Sequence, residues 1–352
     1  MDAFVYVAHP TRVVFGIGAL SRLPHEVERL GLTRALILST PEQADVAERL
    51  ASELGKRAAG TYTRAVMHVP VETAREACEL ARRLGADGTI AVGGGSTTGL
   101  AKAIALELGL PILAVPTTYA GSEMTPIYGL TEGGRKRTGK DSAVLPRSVI
   151  YDPELTLTLP IGLTITSGIN AIAHAVEGLY AKDHNPIIDL VAEEGVRALA
   201  LALPRLRDDP LDLAARADAL YGAWLCGMVL GAVGMALHHK LCHTLGGSFN
   251  LPHAEVHTVV LPHALAYNAP ANPAALARMS KALDAPQPAA ALYDLARSNG
   301  APYALRQLGM AQSDLDRAAD LAVENPYWNP RPVEREGVRV LLRNAWEGTR
   351  PE

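Results

Sequence analysis

Short β-branched or aliphatic runs alternate with amphipathic segments through the first third of the chain, and that alternation leaves few folds open. "RALILST" (residues 34–40) reads as a strand, and "ADVAERLASELG" reads as a helix that stops at Gly55. The segment "VETAREACELARRLG" puts Val71, Ala74, Cys78 and Ala81 on one helical face, and "GTIAVGGG" and "PILAVPTT" follow as apolar strands bounded by Gly and Pro. Strand–helix–strand order of this kind builds a parallel sheet with helices on its faces, and such sheets bind ligands beyond the carboxyl ends of their strands.

From about Leu159 the pattern changes to long Ala/Leu-rich segments with no persistent alternation, which predicts an all-helical second half. The prolines of "YDPELTLTLP" mark the boundary, so the expected domains are residues 1–158 (Rossmann-like α/β) and residues 159–352 (all-α). One stretch tests this soluble reading. Residues 219–237, "ALYGAWLCGMVLGAVGMAL", carry no charge over 19 residues, nearly enough to span a bilayer. Four glycines interrupt that stretch and a histidine-rich segment follows it, so a buried central helix is expected instead. A formal net charge of −4 argues against nucleic acid or an anionic membrane as partner. Three cysteines without a C-x-x-C pair fit packing roles in a reducing cytoplasm, and the first residues lack the basic start and apolar run of an export signal.

Two constellations carry chemistry in the first half. "AVGGGSTTGLAKAIAL" runs a strand into Gly93, Gly94 and Gly95, with Ser96 and Thr97 where a helix cap is expected; glycines admit a close backbone approach, and the free N–H groups of a helix start attract a diphosphate. "VPTTYAGSEMTP" brings Thr117, Thr118 and Ser122 to the same sheet edge, suited to cofactor contact. The strand "ALILST" ends in Ser39 and Thr40, without the acid that would hold a ribose 2′-hydroxyl and repel a 2′-phosphate, so both NADH and NADPH are expected to be accepted.

In the second half, "SGINAIAHAVEG" sets Asn170 and His174 one helical turn apart, and "ALHHKLCHTLGGSFNLPHAEVH" adds His239, His243 and His253. These five are expected to share a pocket, whereas His238 and His257 read as packing residues outside it. An amide in place of a carboxylate supplies a neutral oxygen, which leaves a divalent cation without charge compensation, so no metal is expected, although three histidines alone can hold zinc in some sites.

The motifs "GGGSTTGLAKA", "PTTYAGSEMTP", "DPELT", "GINAIAHAVE", "HHKLCHTLGG" and "LPHAEV" resemble those of the iron-containing alcohol dehydrogenase superfamily, and most of all its maleylacetate-reducing branch. The resemblance runs nearly the whole chain and implies a dehydroquinate synthase-like fold, with a Rossmann-like domain, a helical domain and a homodimeric assembly. In metal-dependent members the ligands would fall at Asn170, His174, His239 and His253, with His243 beside the nicotinamide; those members carry Asp where this chain has Asn170, and an acid where it has Gly99. The resemblance further implies that Lys136 contacts the cofactor, that His243 and His253 are catalytic, and that Asn170, His174, His239 and Tyr119 meet a small dicarboxylate substrate. The expected reaction is NADH- or NADPH-dependent reduction of the double bond of maleylacetate to 3-oxoadipate. A metal-dependent alcohol or polyol dehydrogenase, a dehydroquinate synthase-like lyase and a non-catalytic nicotinamide-sensing protein stand as alternatives.

Overall fold

A computed structural model describes residues 3–132 and 135–352, without the side chains of residues 135 and 136. The chain forms two compact units, Ala8–Leu159 and Pro160–Glu352, the latter joined by the N-terminal residues up to Val7.

In the first unit, strands β1 (Arg12–Phe15), β2 (Ala35–Leu38), β3 (Ala58–Tyr62), β4 (Gly88–Gly93) and β5 (Ile112–Pro116) and a later strand, Ser148–Tyr151, make a six-stranded sheet. An antiparallel hairpin, β6 (Ile127–Glu132) and β7 (Arg135–Lys140), precedes that last strand, which is therefore β8. The hairpin is absent from the sequence reading, because its basic residues lack the apolar alternation that marks a half-buried strand. The sheet order is β1-β8-β5-β4-β2-β3 and every pairing is parallel.

Helices α1 (Leu23–Arg29), α2 (Ala44–Leu54), α3 (Val71–Leu84) and α4 (Gly95–Leu108) make the crossovers. Along β2, Leu36 and Leu38 join the core under α3 and α4, while Ala35 and Ile37 join the core under α1 and α2. Burial on both faces is why these strands read as continuous apolar runs. From β2 the chain moves outward to β3, and from β4 it moves outward the other way to β5, so the order reverses between β2 and β4. A crevice opens beyond the carboxyl ends of strands at such a reversal.

The second unit is helical: α5 (Ile161–Leu179), α6 (Pro186–Asp208), α7 (Leu213–Ala232), α8 (Leu237–Phe249), α9 (His253–Asn268), α10 (Pro273–Ala282), α11 (Pro288–Ser298), α12 (Leu315–Val323) and α13 (Arg335–Glu347). Glycines bring the first three together: a Cβ on Gly168 would lie 2.7 Å from Leu203 Cδ2, and one on Gly195 2.8 Å from Cys226 Sγ. The charge-free stretch falls largely on α7, a core helix whose Ala219, Ala223, Cys226 and Val229 are buried. That helix also buries Arg216, which donates to Thr164 Oγ1 at 2.8 Å and to the Pro210 carbonyl at 3.0 Å.

Candidate active site

The glycine turn sits at the carboxyl end of β4, beside the reversal point. Gly93 has φ +149°, and a Cβ there would overlap Thr97 Oγ1 and lie 3.0 Å from Gln43 Oε1. A Cβ on Gly94 would lie 2.8 Å from Thr118 Oγ1. The cap of α4 is Gly94 itself, with no side-chain cap hydrogen bond, and Ser96 and Thr97 are already inside the helix. This corrects the expected cap, and the correction favours a ligand: without a side-chain oxygen at its start, the first turn of α4 keeps its N–H groups for an external anion.

Polar atoms round the turn are similarly unspent. Among the described residues Ser39 Oγ, Gln43 Oε1 and Thr97 Oγ1 are buried without a hydrogen-bond partner, although buried polar groups are nearly always paired. Gln43, which sequence reasoning missed, donates from Nε2 to Thr117 Oγ1 at 2.8 Å, and the Thr117 amide donates to the Gly93 carbonyl at 3.2 Å. Behind them the buried Lys102 of α4 donates to the carbonyls of Ser122, Thr125 and Ile127 at 2.7, 2.9 and 2.6 Å, and to Thr125 Oγ1 at 2.9 Å. Burial pulls the Lys102 ammonium down to about 7, opposed by the charge of Glu123, whose own carboxyl burial pushes up. Thr118 and Ser122 are half-buried, whereas Tyr119 between them is fully buried. Lys136 lies in β7, and its side chain falls outside the described residues. A backbone cradle that a Cβ would fill, an uncapped helix start and orphaned polar atoms fit a dinucleotide.

In the helical unit, α5 carries Asn170, His174 and Glu177 at helical spacing, all buried. Glu177 is the residue that sequence reasoning passed over, although "NAIAHAVE" places it on the same face, one turn beyond His174. Its Oε2 accepts from the amide of Ala236 at 2.8 Å, the amide of His239 at 3.3 Å and His239 Nδ1 at 2.7 Å, and its Oε1 accepts from the His238 amide at 2.7 Å. Ala236 is the cap of α8, so Glu177 supplies the anion that this helix start attracts. His239 Nε2 then meets His174 Nδ1 at 2.9 Å.

His253 opens α9, its ring 4.4 Å from that of His257, which lies 5.0 Å from the ring of His239. His243 Nδ1 pairs with Tyr327 Oη at 2.9 Å. Tyr327 comes from the "NPYWNP" segment, which a reciprocal Asn268–Asn329 amide pair (2.9 and 2.7 Å) ties to the end of α9. Burial, with the charge of Glu177, raises the Tyr327 hydroxyl.

His238 and His257 behave as the core histidines expected of them. Both are wholly buried, as packing residues would be, yet they lie inside the cluster and bond to each other, Nε2 to Nδ1, at 2.9 Å. Burial and neighbouring histidines hold both well below the usual imidazole range, so they are neutral.

Several candidate ligand atoms of the cluster are engaged with one another. Its ring nitrogens at His174 and His239 satisfy each other, and its carboxylate, Glu177, is turned to the far nitrogen of His239 and to backbone amides. Asn170, with Oδ1 buried and unpaired, contributes no charge. His238, Cys242 and His257 also converge, but the two imidazoles bond to each other and burial raises the Cys242 thiol well above its usual range, against the thiolate that a metal needs.

Comparison with known proteins accounts for nearly the whole chain. Residues 10–153 match the model of the iron-containing alcohol dehydrogenases, and residues 164–346 that of the Fe-containing alcohol dehydrogenase family, C-terminal part. The chain is 63% identical to maleylacetate reductase of Burkholderia cepacia over 351 residues, covering 100% of both chains, and 59% identical to that of Sphingobium indicum, covering 99% of each. The crystal structure of maleylacetate reductase from Agrobacterium tumefaciens superposes with a TM-score of 0.97 at 55% identity, with 100% of both chains covered. With identity at this level across both units, the chain belongs to the iron-containing alcohol dehydrogenase family, in its maleylacetate reductase branch.

Proposed function

We propose that this chain reduces the carbon–carbon double bond of maleylacetate to 3-oxoadipate in the breakdown of aromatic compounds, using either NADH or NADPH. The observation that supports the reading beyond whole-chain likeness is the neutral amide, Asn170, one turn from His174 on the buried face of α5. A conjugated ketone can accept charge without a Lewis acid, whereas a simple aldehyde or alcohol substrate depends more on one.

A reduced nicotinamide supplies hydride when bound, and Gly93, Gly94, Gly95, Ser96, Thr97, Thr117, Thr118, Ser122 and Ser39 would hold its dinucleotide. The chain's own residues then manage charge and proton. Addition at C2 pushes the π electrons through C3 onto the C4 ketone oxygen, and that oxygen needs donors. We assign this role to imidazole N–H groups of His243 or His253; in support, His243 Nδ1 pairs with Tyr327 Oη. Collapse of the enolate takes one proton at C3 from the same histidines or from water, which balances the reaction.

We further read the enzyme as metal-independent, homodimeric and cytoplasmic. NADH deuterated at its transferable position should give 3-oxoadipate labelled at C5, the former C2 of maleylacetate, read by proton NMR of the product. Deuterium at the carbonyl carbon, with formation of an alcohol, would instead support the alcohol dehydrogenase alternative.

A further inference from the structure

Two consecutive residues of the loop between β3 and α3 lie in the left-handed region, His68 at φ +68° and Val69 at φ +45°. For a β-branched residue this is an outlier, and such strain persists only where the surroundings over-determine it. They do so here. Thr131 of β6 donates from its amide to the Val69 carbonyl at 3.1 Å and from Oγ1 to the His68 carbonyl at 2.8 Å, and the Val69 amide donates to the Val66 carbonyl at 3.3 Å. The buried Val69 side chain is thereby driven against α4, where a Cβ on Gly99 would lie 2.7 Å from Val69 Cγ2. A methyl on a stiff χ1, carried by a backbone tied down at these carbonyls, has little freedom to yield. No residue larger than glycine fits at position 99 while Val69 stands there.

The same loop is laced to the end of β2: the Ser39 amide donates to the Tyr62 carbonyl and the Ala65 amide to the Ser39 carbonyl, both at 3.0 Å. It therefore joins Ser39 to the helix whose first turn would meet the diphosphate. We propose that Val69 and Gly99 are a size-matched positioning pair for the cofactor: the valine, seated on bare helix backbone, sets how far the loop and Ser39 stand from the glycine turn. Neither residue has to touch the dinucleotide. This inference rests on the dinucleotide reading for its effect on binding, and on the steric fit alone for the pairing.

Exchanging bulk across the contact tests it, with Val69→Ala, Gly99→Ala and the double variant. Gly99→Ala alone pushes the loop away from α4, although alanine suits a helix interior better than glycine does. Val69→Ala alone leaves a gap into which the loop can shift. In the double variant the added methyl occupies space that the valine vacates. Each single variant should raise the dissociation constant for NADH at least ~5-fold, and the double variant should return to within about twofold of the natural protein, as coupling between residues in contact allows. On maleylacetate at saturating NADH, kcat should stay within about twofold in all four proteins, because the pair acts on binding.

Fluorescence titrations beside melting curves make the check. Losses of NADH affinity that simply add in the double variant would overturn the proposal. So would single variants whose melting temperatures fall while NADH affinity holds, since the contact would then be packing alone. Should Gly99→Ala fail to fold, Val69→Ala and the double variant decide: recovery of affinity on adding the methyl supports the pair, and a further loss contradicts it. A natural protein that does not bind NADH, with mutual rescue intact in the melting temperatures, would instead count against the dinucleotide reading and leave the steric pairing standing.

Discussion

In the proposed mechanism Asn170 and His243 divide the labour of the histidine cluster between charge and proton. His243 is half-buried on α8, with Nδ1 bonded to Tyr327, so its ring is oriented by a partner rather than by core packing. Replacing it by alanine should therefore lower turnover by ~10²–10⁴-fold, the usual contribution of a positioned acid or base, with little loss of cofactor affinity or thermal stability. Steady-state kinetics beside a melting curve make the check; a large drop in melting temperature with kcat preserved would make His243 a packing residue. At this scale the sequence was legible in part. The spacing of Asn170, His174, His239, His243 and His253 pointed to one cluster, because helical periodicity converts directly into a shared face. Glu177 was hidden in plain view, since a glutamate near a helix end reads as a solvated charge unless another helix is known to start against it. The partner of each of His238 and His257 was not legible, because their pairing joins α8 to α9, a tertiary contact that local spacing does not encode.

The strand–turn–helix formed by β4, Gly93–Gly94 and α4 carries the proposed cofactor contacts. Gly94 has φ −89°, so the backbone itself would admit a side chain, and the obstacle is Thr118 Oγ1 at 2.8 Å. Gly94→Val should therefore displace Thr118 as well as crowd the diphosphate, and the dissociation constant for NADH should rise at least ~10-fold. Fluorescence titration of the folded variant measures it, and unchanged affinity would remove this turn from the site. The element's existence was readable because an apolar strand running into three glycines and a helix has few other uses. Its capping was not: Ser96 and Thr97 have the chemistry of caps, yet the helix begins one residue earlier, at Gly95, leaving the first turn open. The role of Lys102 was equally invisible, since a lysine in "GLAKAIAL" gives no sign that four acceptors from the following loop converge on it.

Across the whole chain, what sequence pattern revealed best was the fold class, an α/β unit followed by a helical one, because burial on both sheet faces and on helix stripes leaves periodic traces. Long-range polar ties leave none, and Glu26 is the clearest of them. Fully buried on α1, it accepts from Arg12 on β1 at 3.1 Å, from Ser148 on β8 at 2.7 Å and from Arg29 at 3.2 Å, joining the edge of the sheet to the helix that covers it. Burial by itself would raise this carboxyl, but the bonds from Ser148, Arg12 and Arg29 outweigh it and bring it to about 2. A carboxyl lowered on folding stabilises fully above its ordinary value of 4.5 and loses that contribution as pH falls toward 2. Glu26→Gln should therefore cost about 2 kcal/mol at neutral pH, and the gap from the natural protein should narrow between pH 4.5 and pH 2. Melting curves across that range would show a constant gap if the carboxylate were not the source.

Metal independence is read from the rate of NADH oxidation with maleylacetate by protein stripped of metal with a strong chelator and verified by elemental analysis. A neutral Asn170 and mutually satisfied His174 and His239 predict that the stripped enzyme keeps its full turnover and still forms 3-oxoadipate. Loss of activity with the metal, and its return on adding back iron or zinc, would show instead that the enzyme needs a metal.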